Sequence, residues 1–437
     1  MSPPDGAQPL WALIPAEGRA RYLRRAATAI LDELDPLADR LAREVGQPRT
    51  EALLAELLPS VGGLHDLADD GHKALRDRRL GRIPALRAGR RTLMLQAPYG
   101  TIGIRGGTGS PWTEPMLEAG AALLAGNAVV LESPLGEAIR AVFVRAGVPE
   151  ELIALGTAEG CDRVVDTRPP AHKGAMLVLD RAPLERTVSG ALWAAFAGGG
   201  RHRAAVGRMV CVPSVTEPLL AELARGAGRL RAGDPRRAET EIGPLESTGQ
   251  LERVDALVRE AVAGGATLLC GGPVSVAAPG AFYAPAVLRG VPARARILHE
   301  PVPGPVLAVV EAGSEADAIA LTRGAPTASV WAGDRALGER VARTLGAEVV
   351  WVNEHGHSLP GAAVRVAENA AVHRLASQPT RLRSARWLPY DPALVLASTT
   401  TARILYGRER ERLGVLRRGA LPLARTAARL TREALDR

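Results

Sequence analysis

Apolar positions recur three and four residues apart through roughly the first eighty residues: Trp11, Leu13 and Ile14, then Tyr22, Leu23, Ala26, Ile30, Leu34 and Leu37. That spacing predicts amphipathic helices, interrupted by a break at Gly46 and Pro48. From residue 81 to residue 98 the text becomes extended and predicts a strand or hairpin. The clearest alternation follows. Residues 100–104 read as a strand, 106–111 as a glycine-rich turn, 112–124 as a helix and 126–131 as a second, buried strand. Strand, turn, helix and strand in that order form the parallel crossover of nucleotide-binding sheets. Further on, an apolar helical run at 188–196 enters the glycine stretch Gly198, Gly199, Gly200, and a strand-like run at 209–213 leaves it. Near the end, Leu413, Leu416, Ala420, Leu423, Ala427 and Leu430 make a helical stripe interrupted at Pro422.

Composition narrows this picture. A chain of 437 residues, 46% hydrophobic, is long enough for two lobes with a substantial core. The net charge of +8 invites a nucleic-acid reading, but lysine occurs only at Lys73 and Lys173, and the arginines are scattered beside acids. No basic patch interleaved with aromatics appears. Cys161, Cys211 and Cys270 lie far apart, without metal or disulfide spacing, which suits a reducing compartment. The N-terminus is polar, and no apolar run reaches membrane-spanning length. A cytoplasmic protein is expected.

The candidate chemistry centres on residues 196–208, where three glycines let backbone approach closely and Arg201, His202 and Arg203 follow. With its flanks, this stretch resembles the nucleophile loop of the aldehyde dehydrogenase superfamily: Phe196, Gly200, Ala205 and Arg208 match that pattern. The departures fall on the chemistry. Gly198 stands at the family's Asn, Arg201 at its Gln and Arg203 at its catalytic Cys. The resemblance covers roughly residues 10–390, with Gly109 at the oxyanion Asn, Glu132 at the ribose-binding Lys, Pro169 at the general-base Glu and Pro301 at the nicotinamide-ribose Glu. Between Pro149 and Lys173 the chain is short, as if a helix–turn module that cradles phosphate were deleted, with residues 161–166 as a strand remnant.

The resemblance implies an α/β, aldehyde dehydrogenase-like fold with a reduced Rossmann-type lobe (1–79 and 99–170) and a second, catalytic-like α/β lobe (171–370). Extended oligomerisation segments would lie at 80–98 and 378–392, before a basic helical tail at 393–437. The tail carries nine arginines against four acids from residue 408 onward, and folding back on its own lobe is its plainer reading. A homo-oligomer, or a hetero-oligomer with an active relative or pathway enzyme, follows from the extended segments.

Oxidising an aldehyde in this fold needs a thiolate, oxyanion donors, a hydride acceptor and a base. A guanidinium at Arg203 stays protonated and cannot attack a carbonyl. The residues therefore lead to an expectation of a catalytically inactive relative without a cofactor, a structural or regulatory subunit or a binder of a small anionic ligand. His172, Arg201, His202 and Arg203 would form its pocket, unless the arginines merely fill space or pair with local acids. The alternative is an NAD(P)-dependent oxidoreductase of aldehyde dehydrogenase type with displaced catalytic residues, or another reaction in the basic pocket. Cys211 reads as a buried strand residue, His355 and His357 as a polar loop, and no metal is expected.

Overall fold

The computed structural model describes residues 6–79, 90–168, 173–356 and 371–379. Pro169, His172 and His357 lie outside them, as do residues 80–89 of the first extended segment and everything from 380 on, including the tail stripe. The chain divides into two compact units, Met1–Ala74 with Pro98–Ala370, and Leu75–Ala97 with Ala371–Arg437. In the smaller, β1 (Arg78–Arg79), β2 (Arg90–Pro98) and β14 (Ala371–Pro379) form a sheet of order β1-β2-β14. The extended reading of 81–98 thus falls on β2 where it is described.

The larger unit carries the four- and seven-stranded sheets. Helices Ala7–Leu13, Ala16–Asp32 and Leu34–Glu44 open it. The second buries Ala20, Leu23, Ala26, Ala27 and Ile30, the stripe legible in the sequence. Arg19 is buried with them. Its Nε donates to the Leu124 carbonyl at 2.8 Å, at the end of helix Thr113–Leu124. It thereby satisfies a helix-terminal acceptor that would otherwise be orphaned. Burial lowers its pKa to about 10.

The four-stranded sheet is parallel throughout, in the order β5-β4-β3-β6. Its strands are β3 (Thr101–Arg105), β4 (Ala128–Glu132), β5 (Ile153–Leu155) and β6 (Arg163–Asp166). The apolar run Ala128, Val129, Val130 and Leu131 is buried, as a strand covered on both faces must be. The strand remnant of the sequence is β6, which pairs directly with β3. Only turns at 156–162 separate it from β5.

The larger sheet has the order β13-β12-β7-β8-β11-β10-β9. It comprises β7 (Gly174–Val178), β8 (Val206–Cys211), β9 (Thr267–Pro273), β10 (Tyr283–Arg289), β11 (Val306–Glu311), β12 (Thr327–Trp331) and β13 (Val349–Val352). Neighbours are parallel except β9, which runs antiparallel to β10. Helices Leu184–Phe196, Pro213–Arg229 and Thr248–Ala263 pack with this sheet, the last capped by the Ser247 hydroxyl, which accepts from the Gln250 N–H.

One boundary differs from the sequence reading of 209–213. The strand begins at Val206, because the ladder pairs Val206 with Gly174 and Arg208 with Ala175, and the polar Arg208 hides this in the text. Pro213 instead opens the next helix, where its missing N–H costs nothing. No helix among the described residues is long and apolar enough to cross a membrane.

Candidate active site

Helix Leu184–Phe196 buries Ala191, Ala194, Ala195 and Phe196 and delivers the chain to the glycine turn. Gly198, Gly199 and Gly200 all have left-handed backbones, with φ of 63°, 61° and 69°. At Gly200 the requirement is also steric: a Cβ there would lie 2.5 Å from the Gly304 carbonyl oxygen and 2.8 Å from that of Ala195. The Gly198 N–H donates to Glu51 Oε1 at 2.6 Å, and the Gly198 carbonyl accepts from Arg201 Nε at 3.0 Å. Burial raises the Glu51 carboxyl above its ordinary range, against the pull of Gln47, the Gly198 N–H and Arg201.

A cleft of about 560 Å³ opens beside this turn. Its wall brings together Arg201, His202 and Arg203 with Gly106, Gly107 and Pro301. Arg201 and His202 are buried, whereas Arg203 is exposed. The Arg203 guanidinium donates to the carbonyls of Asp166 and Arg168 at 3.4 and 3.5 Å. Arg201 Nη1 stands 3.7 Å from Glu246, whose carboxylate also accepts from the Thr108 hydroxyl. Gly109 is buried and turns a carbonyl, not a donor, toward the glycine turn: its oxygen lies 3.5 Å from where a Gly198 Cβ would be. Glu132 sits apart, at the end of β4.

No thiol lines the cleft among the described residues. Cys211 is buried on β8 and accepts from the Thr216 hydroxyl, Cys270 lies on β9, and Cys161 precedes β6. His355 is buried against Trp351 with Nε2 on the Ala204 carbonyl at 2.9 Å, and burial lowers its pKa to about 4.

Lys173, used in the sequence only to set the register, is the residue that reasoning missed. It borders the cleft, its Nζ donates to the Gly304 carbonyl at 2.7 Å, and burial lowers its pKa to about 7. A signal existed. In a chain with 55 lysines and arginines, only two are lysines, and only lysine gives up its proton in a protein. Glu51 and Glu246 left no comparable trace.

The sequence profile of the aldehyde dehydrogenase family matches residues 4–164 and 172–364. The chain belongs to the aldehyde dehydrogenase family. A betaine aldehyde dehydrogenase of Cereibacter sphaeroides is 29% identical over 396 residues, covering 80% of this chain and 79% of the relative. The solved structure of PnpE in complex with nicotinamide adenine dinucleotide superposes with a TM-score of 0.79 at 21% identity, covering 87% of this chain and 88% of that one. A glyceraldehyde-3-phosphate dehydrogenase of Methanocaldococcus jannaschii complexed with NADP gives 0.74 at 18%, covering 85% and 92%.

These aldehyde dehydrogenase neighbours overturn the expectation that no cofactor belongs to this chain: proteins of this fold are solved with NAD and with NADP. That expectation rested on Glu132 and Pro301 at the ribose-binding positions together with the short interval before Lys173. The strand ends offer other partners. Arg105 ends β3, Glu132 ends β4 and Arg168 follows β6. Glu132 Oε2 accepts from the Ala158 N–H at 2.8 Å and from Arg105 Nε at 3.1 Å, and these bonds hold its carboxyl below the ordinary range. A carboxylate accepts from ribose hydroxyls, and Arg105 and Arg168, paired with Glu132 at 3.1 Å and Asp166 at 2.6 Å, keep further N–H groups that would meet a phosphate without a helix N-terminus. Seven residues join β6 to β7, and these strands belong to different sheets, so the link needs no crossover helix.

Proposed function

We propose that this chain is an NAD(P)-linked oxidoreductase of aldehyde dehydrogenase type, with catalytic groups displaced from the family positions. Its substrate is an aldehyde with an anionic end. The observation that carries the reading is the course of one cleft, from Gly106, Gly107 and Arg168 to Arg201 and Arg203 beside the glycine turn, in a chain matching the family across both lobes. Arg105, Arg168 and Glu132 would hold the dinucleotide, which supplies a hydride acceptor when bound. Arg201 and Arg203 bind and orient the anionic end of the substrate, as paired guanidiniums do for carboxylates. Arg203 takes no part as a nucleophile, so covalent catalysis through position 203 is not part of the proposal.

A second reading keeps the ligand and drops the turnover. It is favoured by Arg203 at the nucleophile position and by the absence of a thiol from the cleft among the described residues. One assay separates the two: NAD(P)H formation with aldehydes that do or do not carry a carboxylate, in the parent and in Arg203→Ala. The oxidoreductase reading expects turnover that prefers carboxylated aldehydes and falls at least about tenfold in Arg203→Ala, a loss of one charge-assisted contact. No NAD(P)H formation with any aldehyde would leave the binding reading in its place.

The segments 80–98 and 378–392 are proposed as oligomer contacts, and the lobes as 1–79 with 99–170 and 171–370. Light scattering over a range of concentrations tests the former, and a monomer throughout would contradict it.

A further inference from the structure

We propose that the Lys173 amine is a nucleophile that captures an aldehyde in the cleft as an imine. This rests on the aldehyde part of the reading above, not on oxidation.

The placement of the side chain carries the argument. Lys173 borders the cleft on one flank and a second cavity of about 420 Å³ on the other, where Gly207, Arg208, His299 and Arg323 line the wall. Its stem lies over Gly207, whose added Cβ would meet Lys173 Cδ at 2.8 Å. The amine is therefore held in place rather than swinging in solvent, and Nζ donates to the Gly304 carbonyl at 2.7 Å. An ammonium carries three hydrogens that seek acceptors, while an amine carries two and a lone pair. No carboxylate among the described residues pairs with it. Glu246, on the cleft side, is engaged by Thr108 and faces Arg201, and Glu300, on the other side, is taken by Arg296. Arg168, Arg201 and Arg203 line the cleft and Arg208 and Arg323 the cavity beyond it, and the Asp166 carboxylate nearby is taken by Arg168 at 2.6 Å. Burial disfavours the cation, and an amine so treated is an activated nucleophile near neutral pH. Lys73, by contrast, is exposed and paired with Asp70 at 2.7 Å.

The step balances without an oxidant or reductant. The nitrogen lone pair forms a C–N bond to the carbonyl carbon as the C=O π pair moves to oxygen. One amine proton passes to that oxygen, giving a carbinolamine. Its hydroxyl then leaves with the second amine proton as one water, and C=N forms. Hydrolysis reverses the sequence. Arg201 and Arg203 in the same cleft select an aldehyde that carries a carboxylate.

The test uses the full chain with glyoxylate, trapped by borohydride and read by intact mass and peptide mapping. One adduct per chain on Lys173 is expected, with at least about tenfold less from acetaldehyde, which lacks the charged contact. Lys173→Met should lose the adduct, and Lys73→Arg should keep it. Mapping the parent chain locates the site even if a variant fails to fold. No adduct, or labelling confined to Lys73 or the N-terminal amine, overturns the proposal. Equal labelling by acetaldehyde overturns the selection for a carboxylate. NAD(P)H formation without trapping would sink the imine and leave the oxidoreductase reading. Trapping at Lys173 without NAD(P)H formation would support the imine and contradict the oxidoreductase.

Discussion

The two sheets of the larger unit join their elements in different ways. At the seven-stranded sheet, helix Leu184–Phe196 reaches β8 through the left-handed glycine turn, with Arg203 just after it. At the four-stranded sheet, turns alone at 156–162 join β5 to β6, and seven residues separate β6 from β7. The difference follows from what each region must satisfy. The turn is locked by backbone atoms within 3 Å of where a Gly200 Cβ would be, so its shape cannot drift. Arg203, by contrast, is exposed at the cleft and held by its bonds to the Asp166 and Arg168 carbonyls at 3.4 and 3.5 Å. In the smaller sheet, β6 pairs directly with β3 and Glu132 bonds the Ala158 N–H, so the strand ends are tied together without an intervening helix.

Breaking the locked side of this comparison should have the largest effect. Gly200→Ala places a Cβ against two carbonyl oxygens in a left-handed backbone, and a loss of more than about 4 kcal/mol in urea unfolding, or failure to fold, is expected. A loss under about 1 kcal/mol would show that the turn is free to move.

Next comes Glu56, which supports the start of helix Thr113–Leu124. Its Oε2 accepts from the Trp112 and Thr113 N–H groups at 3.2 and 2.7 Å, and its Oε1 from the Ser110 hydroxyl. Glu56→Ala leaves two buried backbone donors unpaired and should cost about 3 kcal/mol, with Glu56→Gln costing about 1 kcal/mol. Equal losses would mean the acceptor atoms are not what matters.

The pH dependence of His355 comes third. Its folded pKa of about 4 lies below the ordinary 6.5, so its contribution is complete above pH 6.5 and lost as the pH falls toward 4. Stability should drop by about 2 kcal/mol between pH 7 and pH 5 from this group. His355→Phe should flatten that part of the curve, and an unchanged slope would place the acid sensitivity elsewhere.

Smallest is Lys173→Met. The lowered folded pKa means that protonation below about 10.5 favours the unfolded chain, with the full cost reached below about 7. Removing the amine should raise stability at neutral pH by about 1 kcal/mol, after the lost bond to Gly304 is set against it. A loss of stability would mean that the amine is better paired than the structure indicates.

Much of this fold was legible because its signals are local. The spacing through Ile30 gave the helices, and the run of residues 126–131 gave β4. The matches at Phe196, Gly200, Ala205 and Arg208 located the loop. Two kinds of information were not local. The start of β8 at Val206 depends on the ladder with Gly174, 32 residues away in the chain. The character of Lys173 depends on Gly207 beneath its stem and on the Gly304 carbonyl at its Nζ, which no run of text displays. The cofactor expectation failed for a related reason. The text displays Glu132, Pro301 and the short interval before Lys173, but cannot show Arg105 and Arg168 at neighbouring strand ends.

The account stands most directly on dinucleotide binding at those strand ends. Thermal unfolding of the parent and of Arg168→Ala should be followed against rising NAD+ and NADP+ up to millimolar concentration. The parent should be stabilised progressively, by about 2.7 kcal/mol at a hundredfold excess over the dissociation constant, and Arg168→Ala should need more of the ligand for the same rise. A melting temperature that stays flat in the parent with both dinucleotides would contradict it.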